Sequence, residues 1–455
     1  MRASLTPHVI AAAIILAGSA PARAISFTEA LDAARRNDAQ YTAAGHDLQS
    51  ARLSLPIARA ALLPSIGLSM SGSDVAGSRR FPNSLNQDMR LRVEYSAPQA
   101  NLSLRVPIFN HEATSRVGQS RAQVEAAEFV YQVRGLELID RLASAYLQVI
   151  LSSEARRLAE TQVQSLATQL DQVQQRLMRG EGTRVDVATT QANLDVAKVR
   201  LIEAGDQVEL ARRQLRRVTG LDAAPLRQVN VDYRPAPLET NSLRDWIDLA
   251  VQQSPTLHAR EQALIAAKMG VQRSFAGHLP RLDLFASLSH TQNESISSLN
   301  QTSMLRSVGV QLNLPIYSGG GVDANVKQAV AEQARAEAEV RQERETIEVE
   351  VQRQYQAVSN GEARIAAHRQ AVASADLMLL GARRSLDAGL GTANDVADAV
   401  ARVFTGRRDL AQACIEYLVA RMRLLITAGM TQAFIAADLD QALVAATTDV
   451  PRTTP

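Results

Sequence analysis

Two short stretches decide the fold: Leu104-Arg105-Val106-Pro107-Ile108-Phe109-Asn110 and Leu312-Asn313-Leu314-Pro315-Ile316-Tyr317-Ser318. They align Pro107 with Pro315 at an offset of 208 residues. Downstream, GEGTRVDV from Gly180 matches GLGTANDV from Gly389 at 209, and upstream ALLPSIGLSMS around Pro64 matches GHLPRLDLFAS around Pro280 at 216. Three landmarks in one order at nearly one offset identify a duplication of roughly 210 residues. The slack falls between the members of each Pro pair, where the first copy has the longer loop.

Working outward from the prolines, the side-chain period is two. Ile66, Leu68 and Met70 alternate with small polar residues, as do Leu102, Leu104 and Val106. In the second copy Leu282, Leu284, Ala286 and Leu288 form one face, and Val308, Val310, Leu312 and Leu314 another. These are strands with one wet and one apolar side. Around Pro98 the first copy slips register, since Leu91, Val93 and Tyr95 are odd-numbered, so a bulge or break is expected there.

Between strands the pattern is helical. No proline interrupts His111 to Met178, a run that would make a helix of about 100 Å. Past the first Gly-x-Gly-Thr turn, Val187, Leu194, Leu201, Val208 and Leu215 recur every seven residues, with Thr190, Ala197, Ala204, Ala211 and Val218 three places on. The second copy repeats this ladder as Val396, Val403, Leu410, Tyr417 and Leu424, with Ala399, Gly406, Ala413, Ala420 and Thr427. Such heptads specify knobs-into-holes packing, and the small residues permit close approach.

Composition narrows the function. The 455 residues are 46% hydrophobic and only 4% aromatic, which suits helices packed through small side chains better than an aromatic-rich core. A single cysteine, Cys414, excludes an intramolecular disulfide, a Cys-based zinc site and a CxxC pair, and its place among apolar positions reads as an inert thiol. Arg2, the apolar run Val9 to Ala17 and Ala22-Arg23-Ala24 have the pattern of a signal peptide over 1–24. The formal charge of +2 belongs to that segment, whose removal leaves 47 basic against 47 acidic residues. The Arg bias reads as composition, with no Arg-dense run or aromatic interleaving, so no nucleic-acid partner is expected.

Exported strands of this kind, without an apolar helix of membrane length, suggest a transmembrane β-barrel. Four strands cannot close one, so chains must pool theirs: two would give eight strands and three twelve. Phe109 and Tyr317 stand where an interfacial aromatic girdle would lie, or else are core aromatics at strand ends.

The duplicated pattern, and above all GHLPRLDLFAS at Gly277 to Ser287 and LNLPIYSGGGVDANVKQA at Leu312 to Ala329, resembles the TolC family of outer-membrane channels over residues 26 to about 430. The resemblance implies a mainly α fold with membrane β. Long coiled-coil helices form an α-barrel crossing the periplasm, and four strands per chain contribute to a trimeric 12-stranded β-barrel in outer-membrane lipid. The chain divides accordingly into a first structural repeat at 25–240, a second at 241–430 and a mobile tail at 431–455. Pro64, Pro107, Pro280 and Pro315 would mark barrel-to-helix transitions. The implied function is a passive exit duct of a tripartite efflux pump or type I secretion system, opened by docking onto a periplasmic adaptor (membrane fusion) protein and an inner-membrane pump of ABC, RND or MFS type. The competing reading, a soluble periplasmic coiled-coil adaptor or scaffold, has no use for four strands with an apolar outer face.

No catalytic constellation, cofactor motif or metal-ligand spacing is present in the sequence, so no enzyme, cofactor or metal is expected. Ser318-Gly319-Gly320-Gly321 lacks the Lys-Ser/Thr of a phosphate loop and reads as a tight strand-to-helix turn. Asp395 and Asp398, three apart at a helix start, share one helical face. Capping and the macrodipole account for such charges structurally. The resemblance instead places them at the periplasmic entrance, where three chains would form an acidic ring, with Asp186 and Arg384 as candidates for the network that keeps it shut. Members of the family close this entrance through a Tyr and an Arg near the turn. The corresponding positions here are Leu386 and Gly391, so Arg179, Arg184, Arg383 and Arg384 are the available substitutes.

Overall fold

The structure, a computed structural model, describes residues 24–82, 84, 86–221, 226–229, 242–295 and 298–444. The signal peptide expected at 1–24 lies outside these residues except for Ala24. In chain order, α1 (Phe27–Asn37) and α2 (Ala39–Ala60) precede β1 (Ser65–Ser71), β2 (Asp74–Pro82), β3 (Asp88–Ser96) and β4 (Gln99–Phe109). Then come α3 (His111–Met178), α4 (Arg184–Thr219) and β5 (Gln228–Val229). The second copy runs α5 (Leu243–Gln253), α6 (Pro255–Phe275), β6 (Arg281–Ser295), β7 (Ser298–Asn313), α7 (Gly321–Asp387) and α8 (Ala393–Thr427), followed by α9 (Gln432–Ala442) and β8 (Leu443–Val444).

The duplication extends through α1 to α8, and α9 stands outside it. α1 and α5 have 11 residues each, α2 and α6 have 22 and 21, α3 and α7 have 68 and 67, and α4 and α8 have 36 and 35. The two copies are nevertheless units of sequence and not of packing. Contacts sort the chain into one unit of Met1–Thr42, Leu136–Trp246 and Val351–Pro455 and another of Ala43–Gly135 and Ile247–Glu350, each drawing on both copies. One copy alone offers a strand set and a helix pair with an uncovered side, so the copies complete each other.

The second unit holds an antiparallel sheet of order β1-β4-β6-β7. Its register puts Ile66, Leu104, Ala286 and Val308 in one row across the strands, and Gly67, Ser103, Ser287 and Ser307 in the next. Side chains alternate along a strand, so between the register shifts at Pro107/Phe109 and Asn293/Ser295 even-numbered residues share one face of all four strands and odd-numbered residues the other. On the even face Ile66, Leu68, Met70, Val308, Val310 and Leu312 are 58 to 77% exposed. On the odd face Ser287 Oγ and Ser307 Oγ lie 2.7 Å apart, and Arg105 pairs with Asp283. The outer edges of β1 and β7 pair with nothing among the described residues.

The four prolines stand where strands meet helices. Pro64 and Pro280 immediately precede β1 and β6, Pro315 follows the end of β7 by two residues, and the β4–β6 register shifts between Pro107 and Phe109. The break expected near Pro98 is present, with β3 ending at Ser96 and β4 starting at Gln99. Beyond it the structure adds a separate β2–β3 hairpin to the four strands expected, because Pro98 has no N–H to continue the ladder. Gly319 and Gly320, at φ 61° and 79°, make the tight turn into α7.

In the first unit the heptad ladder is buried. Thr190, Leu194, Ala197, Val208, Ala211 and Val218 of α4 lie inside, and Leu194 and Ala197 cluster with Leu166 of α3 and Ala397 of α8. The matching seam of α3 reads Ala159, Gln162, Leu166, Gln169 and Val173, two of them polar. Between α7 and α8, a Cβ on Gly361 would come within 2.6 Å of Tyr417 Cδ2, so only glycine admits this large ladder residue.

The segment read as a tail from 431 is corrected up to Val444: Thr431 caps α9, which buries Ile435, Ala436, Leu439 and Ala442. A helix of three turns owes its stability to packing more than to propensity, so its short pattern carries little signal. Asp440 accepts from the N–H groups of Phe27 (2.8 Å) and Thr28 (3.0 Å) at the start of α1, and Asp438 holds Arg421 at 2.8 Å. Tyr146 of α3 donates to Ile25 O at 2.7 Å and accepts from Arg227 N at 3.2 Å, while burial pushes its phenol well above the ordinary value. The Arg421 and Asp438 side chains are only 6 and 13% exposed. Removing one partner of a buried pair costs about 3–5 kcal/mol because a charge is stranded. Asp438→Ala is therefore expected to lower urea stability by about 3 kcal/mol, read from the emission of the buried single tryptophan, Trp246. Adding Arg421→Met should recover most of it, and an unrecovered loss would assign the effect to packing.

Candidate functional site

The residues expected at the entrance, Asp186, Arg384, Asp395 and Asp398, lie at or near two helix turns of the first unit, between α3 and α4 and between α7 and α8. Gly180 (φ 79°) and Gly389 (φ 75°) take the left-handed conformation that ends each long helix, which residues with a Cβ disfavour. The next helix then opens with the same device in both copies. Thr183 Oγ1 accepts from the Asp186 N–H at 3.1 Å, and the Asp186 carboxylate accepts from the Thr183 N–H at 3.0 Å. Thr392 and Asp395 repeat this at 3.2 and 2.8 Å. Both are capping boxes with Asp in the third helical position.

Asp395 is fully exposed, and the Thr392 N–H and hydroxyl hold its carboxyl below the usual carboxylate range. One of its oxygens therefore serves the cap, and the charge persists. Asp398, one turn further on, is exposed. Asp186 serves its own cap, and Arg384 is exposed with no side-chain bond among the described residues. Within the chain, then, Asp186 and Arg384 are not joined.

The link between the two turns is one that periodicity could not reveal. Arg176, in the last turn of α3, donates to the carbonyl of Leu386 at 2.9 Å and to the carboxylate of Asp387 at 3.1 Å. Gln169 donates to Ala393 O at 2.6 Å, and Arg383 to Ser165 Oγ at 3.3 Å. A backbone carbonyl thus acts at Leu386, where the side chain has no polar group, and the cation comes from the opposite turn. Four residues of one sign or one polar type near a helix end offer no sequence cue to which of them reaches across.

Elsewhere, Phe109 and Tyr317 are 46 and 87% exposed, so neither is a core aromatic. Cys414 is half-buried, and burial pushes its thiol up. Arg212-Arg213-Gln214-Leu215-Arg216-Arg217 in α4 is an Arg-dense run, which corrects the reading of the arginines as composition alone. Among the described residues no group of His, Cys, Asp and Glu could hold a metal ion, and no helix is long and apolar enough to cross a membrane.

A sheet apolar on one face and helices of 68 and 36 residues in one chain are the parts expected of an outer-membrane exit channel. The chain belongs to the outer membrane efflux protein family, the TolC-like channels, whose model matches residues 30–221 and 246–429. It is similar to the alkaline protease secretion protein AprF of Pseudomonas aeruginosa, 31% identical over 414 residues that cover 90% of this chain and 85% of that protein. It is also similar to the proteases secretion protein PrtF of Dickeya chrysanthemi, 30% identical over 428 residues and 92% of each chain. Among solved structures, the Campylobacter jejuni CmeC outer membrane channel shares the fold with a TM-score of 0.77 at 17% identity, covering 91% of this chain and 89% of that one. The protein is accordingly an outer-membrane duct extending into the periplasm, of a family of passive channels, and the soluble adaptor reading falls.

The cap at Asp395 has a signed pH dependence. Its folded pKa is depressed from 3.8, so its stabilisation is present above the ordinary carboxylate range and is lost as pH falls through the lower folded value. Hydrogen exchange at residues 395–397 is expected to lose protection in that acid window. Asp395→Ala should remove the step and leave protection low already at neutral pH; a step that survives the substitution contradicts the assignment.

Proposed function

We propose that three copies assemble into a secretion duct, its entrance closed by the two helix turns. The observation that carries this is the four-stranded sheet with one apolar face and two open edges. Lipid leaves no unpaired backbone group unpunished, so β1 of one copy pairs with β7 of the next, and three copies give the twelve strands the family resemblance implies. The even-numbered face then meets lipid and the odd-numbered face lines the lumen. Phe109 and Tyr317 lie at the interface, where exposed rings are favoured.

At the periplasmic mouth Asp395 and Asp398 from three chains form a ring whose field favours cations. The Arg176 link to Leu386 and Asp387 keeps the turns together and holds the mouth shut until an adaptor displaces it. The names of AprF and PrtF favour a secreted polypeptide as cargo, with an ABC-type inner-membrane pump and its adaptor as partners. Small-molecule efflux with an RND or MFS pump is the alternative, and the family name favours it.

Planar-bilayer recordings test both parts of the mouth. Asp395→Asn combined with Asp398→Asn is expected to reduce cation selectivity and block by polyvalent cations; unchanged selectivity would sink the ring. Arg176→Ala should raise the open fraction. An exposed pair worth about 0.5–1 kcal/mol in each of three chains shifts it roughly tenfold or more. A closed channel indistinguishable from the unsubstituted one would show that Arg176 is not the latch.

A further inference from the structure

Away from the turns, the first unit contains a cleft of about 870 Å³ between α3, α4, α7 and α8. That volume is in the range of small-molecule sites, roughly 300–1,000 Å³. Its apolar lining includes Val149, Ile150, Leu215, Leu410 and Ile415. Its charged lining is mostly basic: among the described lining residues Arg157, Arg212, Arg213, Arg216, Arg227 and Arg407 outnumber Glu154 and Glu209, and Arg227 lies 3.8 Å from Asp440. Three of the four arginines of the 212–217 run reach it because positions 212, 213 and 216 fall on one helical face.

The two carboxylates are already engaged. Glu154 takes two bonds from Arg157, at 2.6 and 2.9 Å, and Glu209 lies 3.6 Å from Arg212. Arg407 is held by Asp376 at 3.0 Å. Arg213 has no side-chain hydrogen bond or ion pair among the described residues, and its neighbours along the face are Arg212 and Arg216. Like charges at this spacing destabilise a helix, and an anion between them reverses the sign. A guanidinium fork matches the paired oxygens of carboxylates, sulfonates and phosphates.

We infer that this cleft binds an amphipathic organic anion, its rings or short alkyl chain against Leu215, Leu410 and Ile415 and its acid group at Arg213 and Arg216. The site is independent of the gate and of the cargo. It is tested on the detergent-solubilised full chain with 1-anilinonaphthalene-8-sulfonate and with N-phenyl-1-naphthylamine, which has the same rings and no charge. The sulfonate is expected to bind once per chain, more weakly as NaCl is raised, and to slow alkylation of Cys414, the cleft's own thiol and the only one in the chain. Arg213→Gln combined with Arg216→Gln should weaken it about tenfold while leaving the neutral amine unchanged.

The inference is overturned if the neutral amine binds as tightly as the sulfonate, if Cys414 reacts at the same rate with the sulfonate present, or if the substituted chain, with native Trp246 emission, keeps full affinity. Should the double variant lose that emission, salt dependence and Cys414 protection in the unsubstituted chain decide alone. Equal competition by inorganic phosphate would also overturn it, since a simple anion site needs no apolar floor.

Discussion

The unpaired edges of β1 and β7 are the constraint on which the structure turns. Each edge presents a row of N–H and C=O groups that water can satisfy and hydrocarbon cannot. The apolar even-numbered face commits the sheet to hydrocarbon, so the same strands that need a membrane forbid a lone chain from entering one. Assembly is therefore a condition of the proposed duct. The long helices inherit that condition, since α3 and α7 leave the sheet through short turns fixed by Pro107, Pro315 and the Gly319-Gly320 pair.

The helical part answers a different demand. Long helices joined along heptad seams leave little room for large side chains, so their cohesion comes from narrow contacts between neighbours. This explains the pairing of Leu194 and Ala197 with Leu166 and Ala397, and the glycine at 361 opposite Tyr417. The aromatic shortage follows: of the few rings, Phe27 and Tyr146 are buried and pack edge to face where α1 meets α3, beside the α1 opening turn that Asp440 of α9 caps.

Much of this was legible in the residues themselves. The bounds of α3 followed from the absence of proline between His111 and Met178, and the faces of the sheet from residue parity. What stayed hidden has physical reasons. Gln162 and Gln169 occupy seam positions of α3 that a search for apolar heptads passes over. The β2–β3 hairpin shares its period with the strands it prolongs. α9 is too short for its pattern to stand above chance. Arg176 was one of several cations near a turn, and only the path of the backbone at Leu386 selects it. At Asp395 the sequence allowed a cap or a ring, and the geometry makes the cap real without removing the charge.

The bond from the Phe27 N–H to Asp440 spans 413 positions of the chain. α1 is among the first elements to emerge in synthesis, yet its opening turn finds its anion only after α9 has arrived, and the two-residue strands β5 and β8 pair on the same terms. Contacts this distant make folding late and slow. For a polypeptide that must cross one membrane before it reaches another, lateness is useful: the carboxylate that caps its first helix arrives only when nearly all of it has passed through.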